Sequence, residues 1–293
     1  MIPESISQFL NDYFLRFHGI SGQVHRVRSV GGGCISFTYQ FDYSDKSYFI
    51  KYLSKEKFPK MYQAESLGLK LLDKVGAFDI PKVIIEDECP EFQFLVMEFI
   101  DQSPKKTGYW EELAYGMAQI HRESQPNFGL ETDNFIGTLA QTNTFSESWT
   151  DFYFSQRLMP QLELALLSQK LPKEIIKNFE KLFLIYEDLV PKESPSLLHG
   201  DFWYENVLPN QFGAPTLIDP AVYFGHREMD LAMADLFGGF PPEFFEEYHH
   251  RFPLQDGYEQ RRKIHQLYPL LVHVNLFGDS YAQRVINIMN QFS

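Results

Sequence analysis

Apolar residues Ile6, Phe9, Leu10, Tyr13, Phe14 and Phe17 recur at three- and four-residue intervals, which predicts an amphipathic helix opened by Pro3 and ended at His18-Gly19. Residues 23–30 read as a strand and run into Gly31-Gly32-Gly33-Cys34. Ile35, Phe37, Tyr39 and Phe41 then alternate with smaller or polar residues, the period of a half-buried strand. Residues 42–46 form a turn, and 48–53 a third strand. Three strands joined by short connections predict an antiparallel sheet. A helix follows over residues 59–75, with Ala64, Leu67, Leu71 and Leu72 marking its buried side and Gly76 as its stop. Residues 82–86 and 93–99 add two strands. From about residue 103 the period turns helical, over 107–123, 148–169, 172–189, 242–252 and 258–290. The pattern is α+β and bilobal: an antiparallel-sheet N-terminal lobe, 1–100, precedes a mainly helical C-terminal lobe, 101–293. The join falls near residues 97–101.

Composition narrows the partners. The 293-residue chain is 44% hydrophobic, enough for a sizeable core, and its formal net charge of -13 argues against nucleic acid and against an anionic membrane surface. Its two cysteines, Cys34 and Cys89, are too few for a disulfide framework and suit a reducing compartment. Met1-Ile2-Pro3-Glu4-Ser5 lacks the basic and apolar regions of a signal peptide, and no apolar run reaches the roughly 18 residues of a membrane span. The expectation is a cytoplasmic protein, a monomer or weak dimer. Cys89 reads as a surface-loop residue.

The chemistry concentrates in Leu197-Leu198-His199-Gly200-Asp201-Phe202-Trp203-Tyr204-Glu205-Asn206. Asn206 lies five positions after Asp201, and Asp219 thirteen further on, at the end of the short apolar strand Leu217-Ile218. That is the spacing of a kinase catalytic loop and its metal-binding aspartate, which makes the bilobal pattern protein kinase-like. Phosphoryl transfer from ATP needs an acceptor for the hydroxyl proton, here Asp201, and hard oxygen ligands for Mg²⁺, here Asn206 and Asp219. Lys51, inside the third strand, can reach the phosphates when paired with Glu65 on the following helix. Gly31, Gly32 and Gly33 let backbone amides approach a phosphate closely. Met97, Glu98 and Ile100 stand where the first lobe ends, so their main chain can hold adenine. Protein kinases carry Arg where this chain has Gly200, and no long activation segment follows Asp219. A small-molecule hydroxyl therefore fits better than a peptide.

Several stretches carry a resemblance beyond kinases in general. They are Gly31-Gly32-Gly33-Cys34-Ile35-Ser36, Leu95-Val96-Met97-Glu98, His199-Gly200-Asp201-Phe202-Trp203, Ile218-Asp219-Pro220-Ala221 and Gly225-His226-Arg227-Glu228-Met229-Asp230. With these, over nearly its whole length, the chain resembles the fructosamine kinase (ketosamine-3-kinase) family, within the aminoglycoside phosphotransferase and choline kinase-like group. The resemblance implies ATP-dependent phosphorylation of the 3-hydroxyl of a ketoamine, the adduct of a reducing sugar with an amine or a protein lysine. The phosphorylated adduct decomposes and frees the amine, a deglycation repair. Trp203 is placed to stack on the sugar, with His226 and Glu228 lining the acceptor pocket. Asp230 reads as structural, hydrogen-bonding the catalytic loop, and His199 as its brace. The family usually reads Leu-Trp-Ser-Gly-Asn after the catalytic Asp; Tyr204 and Glu205 depart from it. Another acceptor, such as an aminoglycoside, choline or another sugar, and an inactive nucleotide-binding protein remain as alternatives. Cys34, beside the amide dipoles of the glycines, is a candidate redox brake.

Overall fold

Helix α1 (Glu4–His18) buries Ile6, Leu10 and Phe14, one residue per turn, and ends where Gly19 turns left-handed and returns its N–H to Leu15. The computed structural model describes residues 1–31, 36–278 and 280–292. Gly32, Gly33 and Cys34, and with them most of the expected phosphate loop and the redox brake, lie outside the described residues. The chain divides into two units, Met1–Lys106 with Leu208–Ile218, and Thr107–Val207 with Asp219–Ser293.

The first unit is built on five antiparallel strands, β1 (His25–Ser29), β2 (Phe37–Tyr43), β3 (Lys46–Ser54), β4 (Val83–Glu88) and β5 (Phe92–Glu98), in the order β1-β2-β3-β5-β4. On the core face Phe41, Tyr43, Tyr48, Ile50, Phe94 and Val96 meet the apolar stripe of α1, with Phe14 stacked on Tyr43 at 4.3 Å between ring centroids. Strand alternation then puts Lys51, between Ile50 and Tyr52, on the opposite face. Helix α2 (Met61–Val75) supplies Glu65 there. Its buried positions are Met61, Tyr62, Ser66, Gly68, Leu69 and Leu72. Of the four apolar residues expected to face inward, only Leu72 is buried, because the turn that presents Glu65 to Lys51 rotates Leu67 and Leu71 partly outward.

A hairpin of Val207–Pro209 and Pro215–Leu217 belongs largely to this unit. The Asn210 carbonyl accepts the Ser103 N–H, the Gly213 carbonyl accepts the Lys106 N–H, and the Thr216 hydroxyl donates to the Asp79 carbonyl. Cys89, expected on the surface, is buried and lies 3.7 Å from the Ser5 hydroxyl. The α1 stripe covers it.

The second unit is helical. Helix α3 (Tyr109–Ile120) packs on α8 (Pro242–Arg251), and α7 (Glu228–Phe237) on α9 (Tyr258–His265). The expected helix over 148–169 is broken into α4 (Trp149–Phe152), a π-helical turn Tyr153–Leu158, and α5 (Met159–Leu167), while α6 (Ile176–Leu189) follows. The π turn aims Arg157 inward, where it is fully buried. The expected helix over 258–290 is three: α9, α10 (Leu267–Phe277) and α11 (Ala282–Met289). Pro269 lacks an N–H and its ring would clash with the His265 carbonyl, so α9 stops there. Two short antiparallel pairs, Asn134–Ile136 with Leu139–Gln141 and Ser196–Leu198 with Tyr223–Gly225, organise the loops between helices.

Candidate active site

Each unit carries part of the expected machinery. In the first, Lys51 Nζ lies 2.9 Å from Glu65 Oε1, with both side chains largely buried. The pair fixes a cation on the sheet face where α2 begins. Gly31 is exposed, with open space around its Cα. Met97 is buried, Glu98 is exposed with its N–H given to the Lys82 carbonyl, and Ile100 is half-buried just past β5.

In the second unit the segment expected to be catalytic follows the Ser196–Leu198 strand, which pairs with Tyr223–Gly225 just downstream of Asp219. The two loops are thus stapled side by side. The Ala221 N–H donates to the His199 carbonyl at 2.9 Å. Gly200 has φ +81°, and a Cβ built on it would stand 2.0 Å from the Ala221 carbonyl oxygen, so no residue with a side chain fits there. The absence of Arg at 200 therefore has a local steric cause as well as the functional one read from the sequence. Asn206 donates its amide nitrogen to the Asp201 carbonyl and to Asp201 Oδ2, each at 2.9 Å. This orients the Asp201 carboxylate and leaves the Asn206 amide oxygen as the donor for a cation. Asp219 is held at φ +55°, in the left-handed region that costs a non-glycine residue about 1 kcal/mol. An amide oxygen and a carboxylate on two stapled loops form a hard oxygen set that suits Mg²⁺.

Both loops are braced from beneath. The Asp230 carboxylate accepts the His199 N–H at 2.8 Å and the Gly200 N–H at 3.0 Å, so the structural role expected of Asp230 is the one it plays. His199 Nδ1 accepts the Asp201 N–H at 3.3 Å. The backbone after Asp219 rests on a buried amide network, in which Asn134 Nδ2 donates to the Val222 carbonyl at 2.7 Å and Gln141 Nε2 to the Ala221 carbonyl at 3.1 Å. Asn143 bonds Asn134, and Arg157 Nη2 bonds Asn143 at 2.7 Å with its guanidinium 3.9 Å from the Tyr223 ring centroid. Hydrophobic period and motif spacing do not single out Asn134, Gln141, Asn143 and Arg157 as supports of this loop. Burial of three amides and an arginine together was the signal, and burial is a tertiary property.

Trp203 is half-buried, edge-on to Phe237 at 6.2 Å. Tyr204 is 40% exposed, tilted against Trp110, with its ring on the Gly239 backbone. Glu205 is exposed. The expectation that His226 and Glu228 line an acceptor pocket fails on burial, since neither side chain reaches the surface. Glu228 accepts two bonds from Arg261, at 2.6 and 3.0 Å. His226 uses both ring nitrogens, one toward the Pro191 carbonyl at 3.2 Å and one accepting the Glu228 N–H at 3.3 Å. Burial pushes the His226 imidazole down to about 4 and that of neighbouring His265 to about 3. Ligand atoms of His226, Glu228 and His265 lie within 4.8 Å of one another, yet Arg261 already balances the Glu228 charge, so the cluster reads as a core ion pair.

A two-unit α+β fold with Asp201, Asn206 and Asp219 on stapled loops defines a kinase-like phosphotransferase. Across residues 5–293 the chain matches the fructosamine kinase family, and it belongs to that family. It is 39% identical to an Enterococcus faecium protein named a probable ketoamine kinase, over 91% of this chain and 95% of that one. It is 34% identical to the chloroplastic protein-ribulosamine 3-kinase of Arabidopsis thaliana, over 94% of this chain and 84% of that one. The crystal structure of aminoglycoside phosphotransferase APH(4)-Ia superposes with a TM-score of 0.66 at 17% identity, over 99% of each chain, a likeness of fold. Among the described residues no helix is long and apolar enough to cross a membrane.

Proposed function

We propose that this protein transfers the γ-phosphate of ATP to the 3-hydroxyl of a ketoamine carried by a small amine or a protein lysine. The observation that carries the reading is the Asp201 carboxylate held at 2.9 Å by Asn206 on a loop stapled to the segment after Asp219. Membership of the fructosamine kinase family and the names of the relatives support the acceptor class. Asp201 accepts the hydroxyl proton as the sugar oxygen bonds to the γ-phosphorus, and the bond from that phosphorus to the β–γ bridging oxygen breaks to release ADP. Lys51, positioned by Glu65, holds the α- and β-phosphates, and Gly31, Gly32 and Gly33 are the residues expected to cover them. Met97, Glu98 and Ile100 present main chain to adenine. Asn206 and Asp219 are the residues that would hold Mg²⁺, whose charge offsets that of the phosphates when bound. Trp203 offers an aromatic face to the sugar. The product adduct is unstable and releases the free amine, so the physiological reading is deglycation by a cytoplasmic monomer or weak dimer.

ATP consumption measured over a panel of ketoamines, aminoglycosides and choline tests the acceptor. Turnover of ketoamines is expected, and turnover confined to another acceptor overturns the reading. Asp201→Asn should abolish turnover and keep ATP binding.

A further inference from the structure

The buried carboxylate that carries the catalytic loop is itself held from behind. Besides the His199 and Gly200 amides, the Asp230 carboxylate has a third neighbour, His121 Nε2, 3.2 Å from Oδ2. His121 closes the C-terminal end of α3 and is buried. Its other ring nitrogen, Nδ1, lies 2.7 Å from the Tyr248 hydroxyl on α8. The Tyr248 oxygen is in turn 3.5 Å from Arg227 Nη1, and the Arg227 guanidinium grips Glu193 at 2.7 and 2.9 Å.

Counting donors gives this chain a direction. An ionised carboxylate only accepts, so the hydrogen between His121 and Asp230 sits on Nε2. A guanidinium only donates, so the Tyr248 oxygen takes a hydrogen from Arg227 and turns its own toward His121 Nδ1. Burial pushes the Tyr248 phenol well above its ordinary range, which keeps it a donor. Every hydrogen in the series from Arg227 to the loop then has one acceptor. A buried carboxylate that lost its third donor would keep both loop amides but could swing toward one of them, and Asp201 is the next residue along.

We infer that His121 is a positioning residue for phosphoryl transfer: with its hydrogen on Nε2 and its lone pair on Nδ1, it locks Asp230, and through Asp230 the catalytic loop, to α3 and α8. The inference rests on the ketoamine kinase reading only for the choice of acceptor in the assay. The His121 tautomer is read directly from ring ¹⁵N shifts and couplings of the intact wild-type protein. The Nε2–H form is expected, and the Nδ1–H form overturns the assignment. In turnover, His121→Leu should lower kcat about 10- to 100-fold and change KM for ATP and acceptor by a smaller factor, since Asp230 bears on the His199 and Gly200 amides beside Asp201 while Trp203 and Asn206 lie further along the loop. His121→Gln, which can still donate to Asp230, should recover about fivefold or more over His121→Leu. A folded His121→Leu protein with kcat within about threefold of wild type, or Gln no better than Leu, overturns the role. Where His121→Leu does not fold, Tyr248→Phe decides: it keeps the ring and removes the donor. It should lower kcat and shift the His121 ¹⁵N signals, and no change in either overturns the proposal. Failure of wild type to turn over any ketoamine would instead sink the acceptor reading, leaving the ¹⁵N spectrum to judge His121.

Discussion

Replacing Gly200 by alanine should separate chemistry from nucleotide binding. The added methyl would sit 2.0 Å from the Ala221 carbonyl oxygen and 2.7 Å from its carbon, both backbone atoms that cannot rotate away. Ordinary contact begins at 3.4 Å, so the two loops must separate by about 1.4 Å at this crossing (3.4 less 2.0). The φ of +81° adds a left-handed penalty of about 1 kcal/mol. Separation also endangers the Ala221 N–H bond to the His199 carbonyl, worth about 1 kcal/mol net. A loss of roughly 2–4 kcal/mol of stability follows, which a domain of this size can survive. The larger effect falls on rate. A displacement of about 1 Å between proton acceptor and reacting group costs about 100-fold, and Asp201 adjoins the methyl while Asp219 is two residues from the carbonyl it strikes. ATP consumption with a ketoamine acceptor should fall about 100-fold in kcat, whereas affinity for ATP without Mg²⁺, measured by calorimetry, should change little because Lys51 and Glu65 belong to the other unit. A Gly200→Ala protein with kcat within about threefold of wild type and an unchanged urea midpoint would refute the steric reasoning.

Three further outcomes follow from the same geometry. Glu65→Ala removes the carboxylate 2.9 Å from the largely buried Lys51 ammonium and should cost about 3 kcal/mol while raising KM for ATP; an unchanged KM would remove the pair from nucleotide binding. Glu228→Gln should destabilise by about 3 kcal/mol, read by urea titration, because Arg261 loses its charge partner, and should leave the acceptor KM of the folded protein unchanged; a selective rise in that KM would restore Glu228 to the acceptor pocket. His226 and His265 titrate near 4 and 3 when folded against 6.5 when unfolded. Between pH 6.5 and about 4 the unfolded chain takes up protons that the folded one refuses, so stability falls as pH drops through that window, on the order of 1.4 kcal/mol per pH unit for each histidine. Urea midpoints should fall from neutral pH to about pH 5, less steeply in His265→Gln, and equal midpoints would contradict the burial argument.

The kinase-like class was legible because phosphoryl transfer demands particular side chains at particular separations along the chain. Asp201 and Asn206 are five residues apart, and the short turn between them brings the Asn206 amide to 2.9 Å from the Asp201 carboxylate. Lys51 and Glu65 were legible from alternation in β3 and from the helix that follows it, both local patterns. The face of α2 was misjudged because Leu67 and Leu71 fit a helical stripe as well as Leu69 and Leu72 do; the sheet packing against the helix chose between them. His226 and Glu228 looked functional because they stand in a polar, family-like run. Only folding brings Arg261, 33 residues on, against Glu228 and converts a polar motif into a core ion pair.

By itself the amino-acid order determined the strands and helices of the first unit and the reaction type, since hydrophobic period and motif spacing act over a few residues. Tertiary structure decided what no local window contains. It made Gly200 obligatory by passing the Ala221 backbone against it, set Asp230 beneath the loop, and attached the hairpin around residues 210–213 to the first unit. Each of these depends on which distant group arrives as a neighbour. That choice is made when the whole chain packs and every buried donor finds its acceptor.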